Sequence, residues 1–232
     1  MFRFKKFALI DKNSALKIGT DAVIIGASID ISKAKRILDI GTGCGIIALM
    51  LAQRSKAIID AIEPHTPSAK DAKNNFDASP WKDKLSLYIE TLENYVETTD
   101  KTYDLIVSNP PFFENDLLSA DTNKTQAKHA INLHLEDIII LSRKMLNKNG
   151  KIEIIIPIHR EKELIQIAQK NQLQLQRKVI VYPKKEKAAH RLILRFSLEQ
   201  EIYTEEEIII RNANNEYTNS YKILTRDFHL NM

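Results

Sequence analysis

The chain has a single cysteine, Cys44, in 232 residues. That excludes a disulfide framework and any metal site assembled from several thiolates. Long apolar runs are also missing, and a stretch such as 152–156 falls far short of a membrane span. The opening residues, MFRFKKFALIDK, lack the apolar core and small-residue cleavage site of a secretory leader, so a reducing, cytoplasmic setting is expected. Neither sign of charge dominates: the formal net charge of +4 permits an anionic partner without requiring one. No internal repeat, low-complexity block or proline/glycine linker divides the chain.

What is present is a globular composition, 44% hydrophobic, in a length suited to one large α/β domain. Short apolar runs at 36–40, 58–63, 85–90, 103–109, 151–157, 173–182 and 191–198 read as strands. Between them, 46–54, 66–78, 133–146 and 160–170 have helical spacing, with Pro67 suited to a first turn and Asn149-Gly150 to a stop. This alternation predicts a Rossmann-like, mostly parallel seven-stranded sheet with helices on both faces. The expected organisation is a single domain: an N-terminal cap over 1–35, a core over 36–198 and a C-terminal extension over 199–232.

Ligands of such sheets bind at the carboxyl ends of the strands. The first of these ends carries DIGTGCG, in which Gly41, Gly43 and Gly45 allow a tight turn and close approach of a ligand. Ile46 stands where a dinucleotide fingerprint has its third glycine, which disfavours a nicotinamide oxidoreductase. Glu63, at the end of the second strand, is placed to accept hydrogen bonds from ribose hydroxyls. Either feature alone is common, and Glu63 alone could be an ordinary surface acid. Together, on consecutive strand ends, they point to a nucleoside-containing cofactor. S-adenosyl-L-methionine fits, having adenosine and a methionine moiety but no phosphates. Cys44 reads as a small loop residue, since no histidine is placed to activate it, and His65 as a surface residue.

The fourth strand ends in SNPPFF. The two prolines hold the backbone stiff and extended, leaving carbonyls free of backbone pairing. The Asn109 side-chain carbonyl and the Pro110 backbone carbonyl form two acceptors suited to a planar amino group, and Phe112 offers a face for a flat base. The alternative is a rigid loop with two core phenylalanines, Phe112 and Phe113.

DIGTGCG, Glu63 and SNPPFF together resemble the class I S-adenosylmethionine-dependent methyltransferases that modify exocyclic or amide nitrogens. Asn109, Pro110, Pro111 and Phe112 match their Asn/Asp-Pro-Pro-aromatic signature. The flanks are similar to the valine-tRNA adenine-N6 methyltransferase family. FKKFALIDKNSALKIGTDAVIIGA matches that family's N-terminal segment at Lys17, Gly19, Thr20 and Asp21, and SPW, Lys128-His129 and YTNSYKILTRDFHL extend the likeness. The resemblance implies N6-methylation of the adenine at position 37, 3′ of the anticodon. Protein-glutamine N5-methyltransferases and ribosomal RNA guanine-N2 methyltransferases share the Asn-Pro-Pro-aromatic turn. The former usually carry an N-terminal helical bundle and the latter a duplicated domain, and neither is visible here. His65 and Lys128 depart from the family, which more often has an acid and an arginine there.

The reading assigns Asn109, Pro110, Pro111 and Phe112 to methyl transfer. Asp39, Gly41, Gly43, Gly45, Glu63 and Asn109 would contact the cofactor. Thr91 and Leu92 would lie by its adenine, and Thr20 and Asp21 by its amino-acid end, the last two equally a helix-cap pair. No general base is evident; His129 is a candidate that reads as readily as a surface residue. The expected partner is a tRNA anticodon loop held through Arg3, Lys5, Lys6, Lys124, Lys128 and the 184–191 loop, each of which could equally be solvated surface. A monomer without metal or membrane contact is expected.

Overall fold

The computed structural model describes residues 1–15, 17–111 and 133–230. Five strands run from the amino half of the chain into its middle: β1 Phe2–Arg3, β2 Ala8–Leu9, β3 Arg36–Ile40, β4 Ile58–Ile62 and β5 Leu85–Tyr88. Five follow: β6 Tyr103–Ser108, β7 Leu146–Pro157, β8 Gln174–Lys184, β9 Arg191–Ser197 and β10 Thr204–Arg211. The described helices are α1 Thr20–Ser28, α2 Ile46–Arg54, α3 Thr66–Asp77, α4 Leu92–Thr98, α5 Leu135–Lys144, α6 Glu161–Lys170 and α7 Asn219–Thr225.

Eight strands form one sheet in the order β10-β8-β9-β7-β6-β3-β4-β5, in which only β9 runs against the others. The strand order reverses direction between β3 and β6, and their carboxyl ends open the crevice where ligands of such folds bind. Successive side chains alternate across the sheet: Ile37, Leu105 and Val107 enter the core beneath α1–α3, whereas Leu38 and Ile106 enter the core beneath α4–α6. Helix α2 is buried from Ile46 to Ala52, and Gly26 of α1 sits against Met50, where an added Cβ would approach Sδ to 2.9 Å. That close crossing brings the start of α1 beside the glycine loop.

The sheet has one strand more than the seven expected. Its three consecutive glutamates disguise β10, which pairs parallel to β8 along the open edge; Glu206 there forms an ion pair with Arg177 at 2.8 Å. The second difference lies at Asn149-Gly150, which does not stop a helix. Helix α5 ends at Lys144 and β7 has already begun at Leu146. Tyr103 pairs with Leu146 and Leu105 with Lys151, so 147–150 bulges out of the ladder. A Cβ on Gly150 would stand 2.7 Å from the Tyr103 carbonyl, which is why glycine occupies the bulge.

Phe4 and Phe7 belong to the core, whereas Phe2 is exposed. Phe4 stacks on Phe7 at 4.7 Å, Phe7 meets Trp81 edge-on, and the Lys5 amide donates to Phe228 O at 2.8 Å, closing the amino end on the carboxyl end. Among the described residues no helix is long and apolar enough to cross a membrane, and no group of three or more His, Cys, Asp or Glu is placed to hold a metal ion.

Candidate functional site

The glycine loop joins β3 to α2. Gly41, Gly43 and Gly45 adopt φ of 69°, 59° and 87°, a region that side chains disfavour. A Cβ on Gly41 or Gly43 would meet nothing within 4 Å, whereas one on Gly45 would approach Phe76 Cε1 to 2.4 Å. Two of the glycines therefore border open space, and the third permits packing against α3. The loop's amides are mostly consumed within the protein. Gly41 and Thr42 N–H donate to Ile62 O, Gly45 N–H to Thr42 O, and Gly43 N–H to Glu63 Oε2 at 2.8 Å. The glycines thus provide space more than donors.

Asp39 is fully buried behind this turn. Its Oδ2 accepts from Thr42 Oγ1 at 2.6 Å and from Ala48 N–H at 3.1 Å, so it buckles the loop and the first turn of α2. Burial pushes its carboxyl up to about 7, against the pull of those two hydrogen bonds. The sequence reading made Asp39 a ligand contact; the structure places it beneath the loop and away from the cavity lining. Cys44 is also buried, and burial raises its thiol to about 12, which keeps it protonated and poorly nucleophilic.

Glu63 is buried with both oxygens engaged, Oε2 by Gly43 N–H and Oε1 by His65 N–H at 2.9 Å. Burial raises its pKa, and the two N–H bonds oppose that shift. Each carboxylate oxygen retains a lone pair for a hydroxyl donor. His65 is half-buried rather than a surface residue. It caps α3, its Nδ1 lying 2.7 Å from Ser68 Oγ and 3.3 Å from Ser68 N–H.

Helix α3 fastens a strap whose described residues are 10–15 and 17–19. Asn75 Oδ1 accepts Ile10 N–H, and Asn75 Nδ2 donates to the carbonyls of Ile10 and Cys44, all at 2.8 Å. Asp71 accepts Asn13 N–H at 2.7 Å, Asn13 Nδ2 at 2.8 Å and Ser14 Oγ at 3.0 Å; Ser68 Oγ accepts Ala15 N–H. Ser68, Asp71 and Asn75 share one buried face of α3. Sequence reasoning missed them, although polar residues at i, i+3 and i+7 among Ala69, Ala72 and Phe76 form a legible stripe.

The strap delivers Lys17 and Asp21 to a cavity of about 260 Å³, which Gly41, Gly43, Asn109 and Pro110 also border. Asn109 is half-buried and Pro110 buried at the end of β6. The structure thus brings Asp21, Gly41, Gly43, Asn109, Pro110 and Pro111 to one cavity. It does not bring Thr20, Gly45, Glu63, Thr91 or Leu92 into that lining; Glu63 lies behind Gly43, whose amide it accepts. Thr20 is exposed in the first turn of α1, whose N-cap is Gly19 and not a Thr-Asp pair. Thr91 caps α4 by accepting Asn94 N–H, and Leu92 is buried in the core. Arg191, at the start of β9, lines the cavity and binds Asp21. Phe112, Phe113, Lys124, Lys128 and His129 lie outside the described residues.

A parallel sheet with this reversal, a glycine loop over open space and a buried acid on the next strand define a Rossmann-like methyltransferase fold. The methyltransferase small domain family matches residues 13–179. A tRNA1(Val) (adenine(37)-N6)-methyltransferase from Parabacteroides distasonis is 36% identical, covering 100% of this chain and 98% of that protein. One of the same name from Trichodesmium erythraeum is 37% identical over 99% and 97%. Among solved structures, a predicted O-methyltransferase from Agrobacterium tumefaciens aligns with a TM-score of 0.71 at 16% identity, covering 90% of this chain and 96% of its own. A ribosomal protein L11 methylase from Lactobacillus delbrueckii aligns at 0.55 and 20% identity, covering 77% of each chain. The chain belongs to the tRNA1(Val) (adenine(37)-N6)-methyltransferase family.

Proposed function

We propose that the protein transfers a methyl group from S-adenosyl-L-methionine to N6 of the adenine at position 37 in a valine tRNA. The observation that carries the reading is the shared cavity: the paired acceptors Asn109 and Pro110 border the same space as Gly41 and Gly43. The residues fit the cofactor. The two glycines leave room that a side chain would otherwise crowd, Asp21 offers a carboxylate to an ammonium group, and Glu63 retains lone pairs for hydroxyls.

When bound, S-adenosylmethionine supplies an electrophilic methyl group on a sulfonium sulfur. Asn109 Oδ1 and the Pro110 carbonyl accept the two N6 hydrogens, which fixes the amine's orientation and directs its lone pair into the cavity. Pro110 and Pro111 hold these acceptors at little conformational cost, since their φ angles are set by the rings. The residue that the sequence offers for stacking on the extruded base is Phe112, outside the described residues. After attack the nitrogen carries a positive charge and loses its proton readily, so positioning rather than a strong base supports the reaction. The protein works as a monomer in the cytoplasm, with 1–35 as cap, 36–198 as catalytic core and 199–232 as extension.

The test offers labelled S-adenosylmethionine with unmodified total tRNA, with peptide release factor and with DNA. Label in tRNA, mapped to N6 of adenine 37, is the expected result; transfer to release factor instead would sink the reading. Asn109→Ala should lower kcat about 100-fold or more with little change in cofactor affinity.

A further inference from the structure

Charge on the three outer strands β9, β8 and β10 is distributed unevenly along their length. Deeper in these strands, cations and acids neutralise one another. Arg177 binds Glu206 at 2.8 Å and Glu153 at 3.7 Å, Arg195 binds Glu153, and Lys178 binds Glu161 at 2.8 Å. At the end that faces the cavity the pattern stops. The hairpin from β8 to β9 carries Lys184, Lys185 and Lys187, with Glu186 as its one acid, and no ion pair engages these lysines among the described residues. Lys185 and Lys187 are exposed and Lys184 half-exposed.

Register places this hairpin relative to the site. β8 and β10 run parallel to one another and antiparallel to β9, which runs antiparallel to β7, so Lys184 and Arg211 end on the same side of the sheet as Asn109. Arg211 is the direct neighbour of Lys184, and Arg191 the neighbour of Pro157. Arg211 is held in place: its guanidinium lies 4.1 Å from the Tyr217 ring centroid, and Nη1 donates to Asn215 O at 2.6 Å. From β10 to β6 there are four strand spacings, about 19 Å in all. A row of cations therefore leads from the sheet edge toward the mouth of the cavity.

We propose that the β8–β9 hairpin, through Lys184, Lys185 and Lys187 with Arg211 beside them, is a docking strip for the phosphate backbone of the RNA that presents the target base. This deepens the proposed tRNA reading and rests on it. Lysines are point charges on flexible stems, suited to phosphate contact and indifferent to base identity, so the strip sets orientation and register while recognition of the base remains at Asn109 and Pro110. Ion pairing elsewhere in these strands prevents the same RNA from settling along their length.

The test compares the wild-type chain, a Lys184→Gln/Lys185→Gln/Lys187→Gln variant and a charge-matched control, Lys33→Gln/Lys35→Gln/Lys56→Gln. The control lysines precede β3 and β4, at the opposite end of the sheet. Steady-state methylation of unmodified total tRNA is followed as a function of salt. The hairpin variant should raise the tRNA KM at least about tenfold at low salt and lower the slope of log KM against log salt by about 2–3. Its kcat and cofactor KM should match wild type, which also establishes that it is folded, and the control should match wild type throughout. An unchanged tRNA KM and salt slope, or an equal loss in the control, overturns the proposal while leaving the tRNA reading in place. A wild-type chain inactive on tRNA overturns both.

Discussion

Arg191 Nε lies 2.8 Å from Asp21 Oδ2, joining the one antiparallel strand of the large sheet to the first turn of α1 beside the cavity. The two side chains are 27% and 24% exposed, so solvent screens the pair and it contributes at most about 1 kcal/mol to folding. Its position at the cavity wall matters more than its strength. Asp21→Asn is therefore expected to leave denaturant stability within about 1 kcal/mol of wild type while raising the cofactor KM several-fold. An unchanged KM would assign the pair to scaffolding.

The strap makes a different demand. Asp71 is buried and accepts three hydrogen bonds from Asn13 and Ser14, so removing it leaves the buried Ser14 hydroxyl without this partner and releases the exposed Asn13 from α3. Asp71→Ala should cost about 3 kcal/mol in chemical denaturation and weaken cofactor binding, measured by calorimetry. Asp71→Asn, which keeps one acceptor oxygen, should fall between the two. If Asp71→Ala lost stability yet bound cofactor normally, the strap would be structural only.

Two glycines of the same loop should respond differently to alanine. At Gly45 the new Cβ would meet Phe76 at 2.4 Å and also strain a φ of 87°; at Gly43 only the φ of 59° opposes it. Backbone strain alone costs about 1–2 kcal/mol. Thermal unfolding should therefore show Gly45→Ala well below Gly43→Ala. Cofactor titration of Gly43→Ala should show a clear loss, since its Cβ would enter open cavity space.

Asp39 gives a pH signature opposite to that of a salt-bridged acid. Its folded pKa is raised from 3.8 to about 7, so between these values the native state binds the extra proton. Stability then falls as pH rises through that window and levels off above it. Asp39→Asn keeps an acceptor for Thr42 and Ala48 and places its amide near the Oδ1 position, which has no partner among the described residues. The difference in stability between variant and wild type, measured by denaturation from pH 4 to pH 8, should move in the variant's favour with rising pH. A flat difference would show that Asp39 is ionised throughout.

The strands and the glycine loop were legible because their determinants are local. Apolar runs such as RILDI and YDLIVS announce themselves by period, and three glycines in five residues admit few conformations. The acidic edge strand β10 was hidden because its glutamates face solvent or Arg177, where β propensity counts for little beside pairing. The strap was harder still. Ile10 and Asn75 are 65 residues apart, and no local pattern in MFRFKKFALIDK reveals the helix face that will receive it. Thr91 and Leu92 show a related effect: proximity to a strand end does not fix side-chain direction, and here one side chain caps a helix while the other is buried in the core.

Asn75 grips Ile10 with one end of its amide and Cys44 with the other. Order in the amino-terminal strap and order in the glycine loop are therefore linked quantities, and linkage is reciprocal. Whatever steadies the loop from the cavity side should slow solvent exchange of the Ile10 amide hydrogen by the coupling free energy that Asn75 carries between them. A single backbone proton outside the cavity lining becomes a gauge of occupancy.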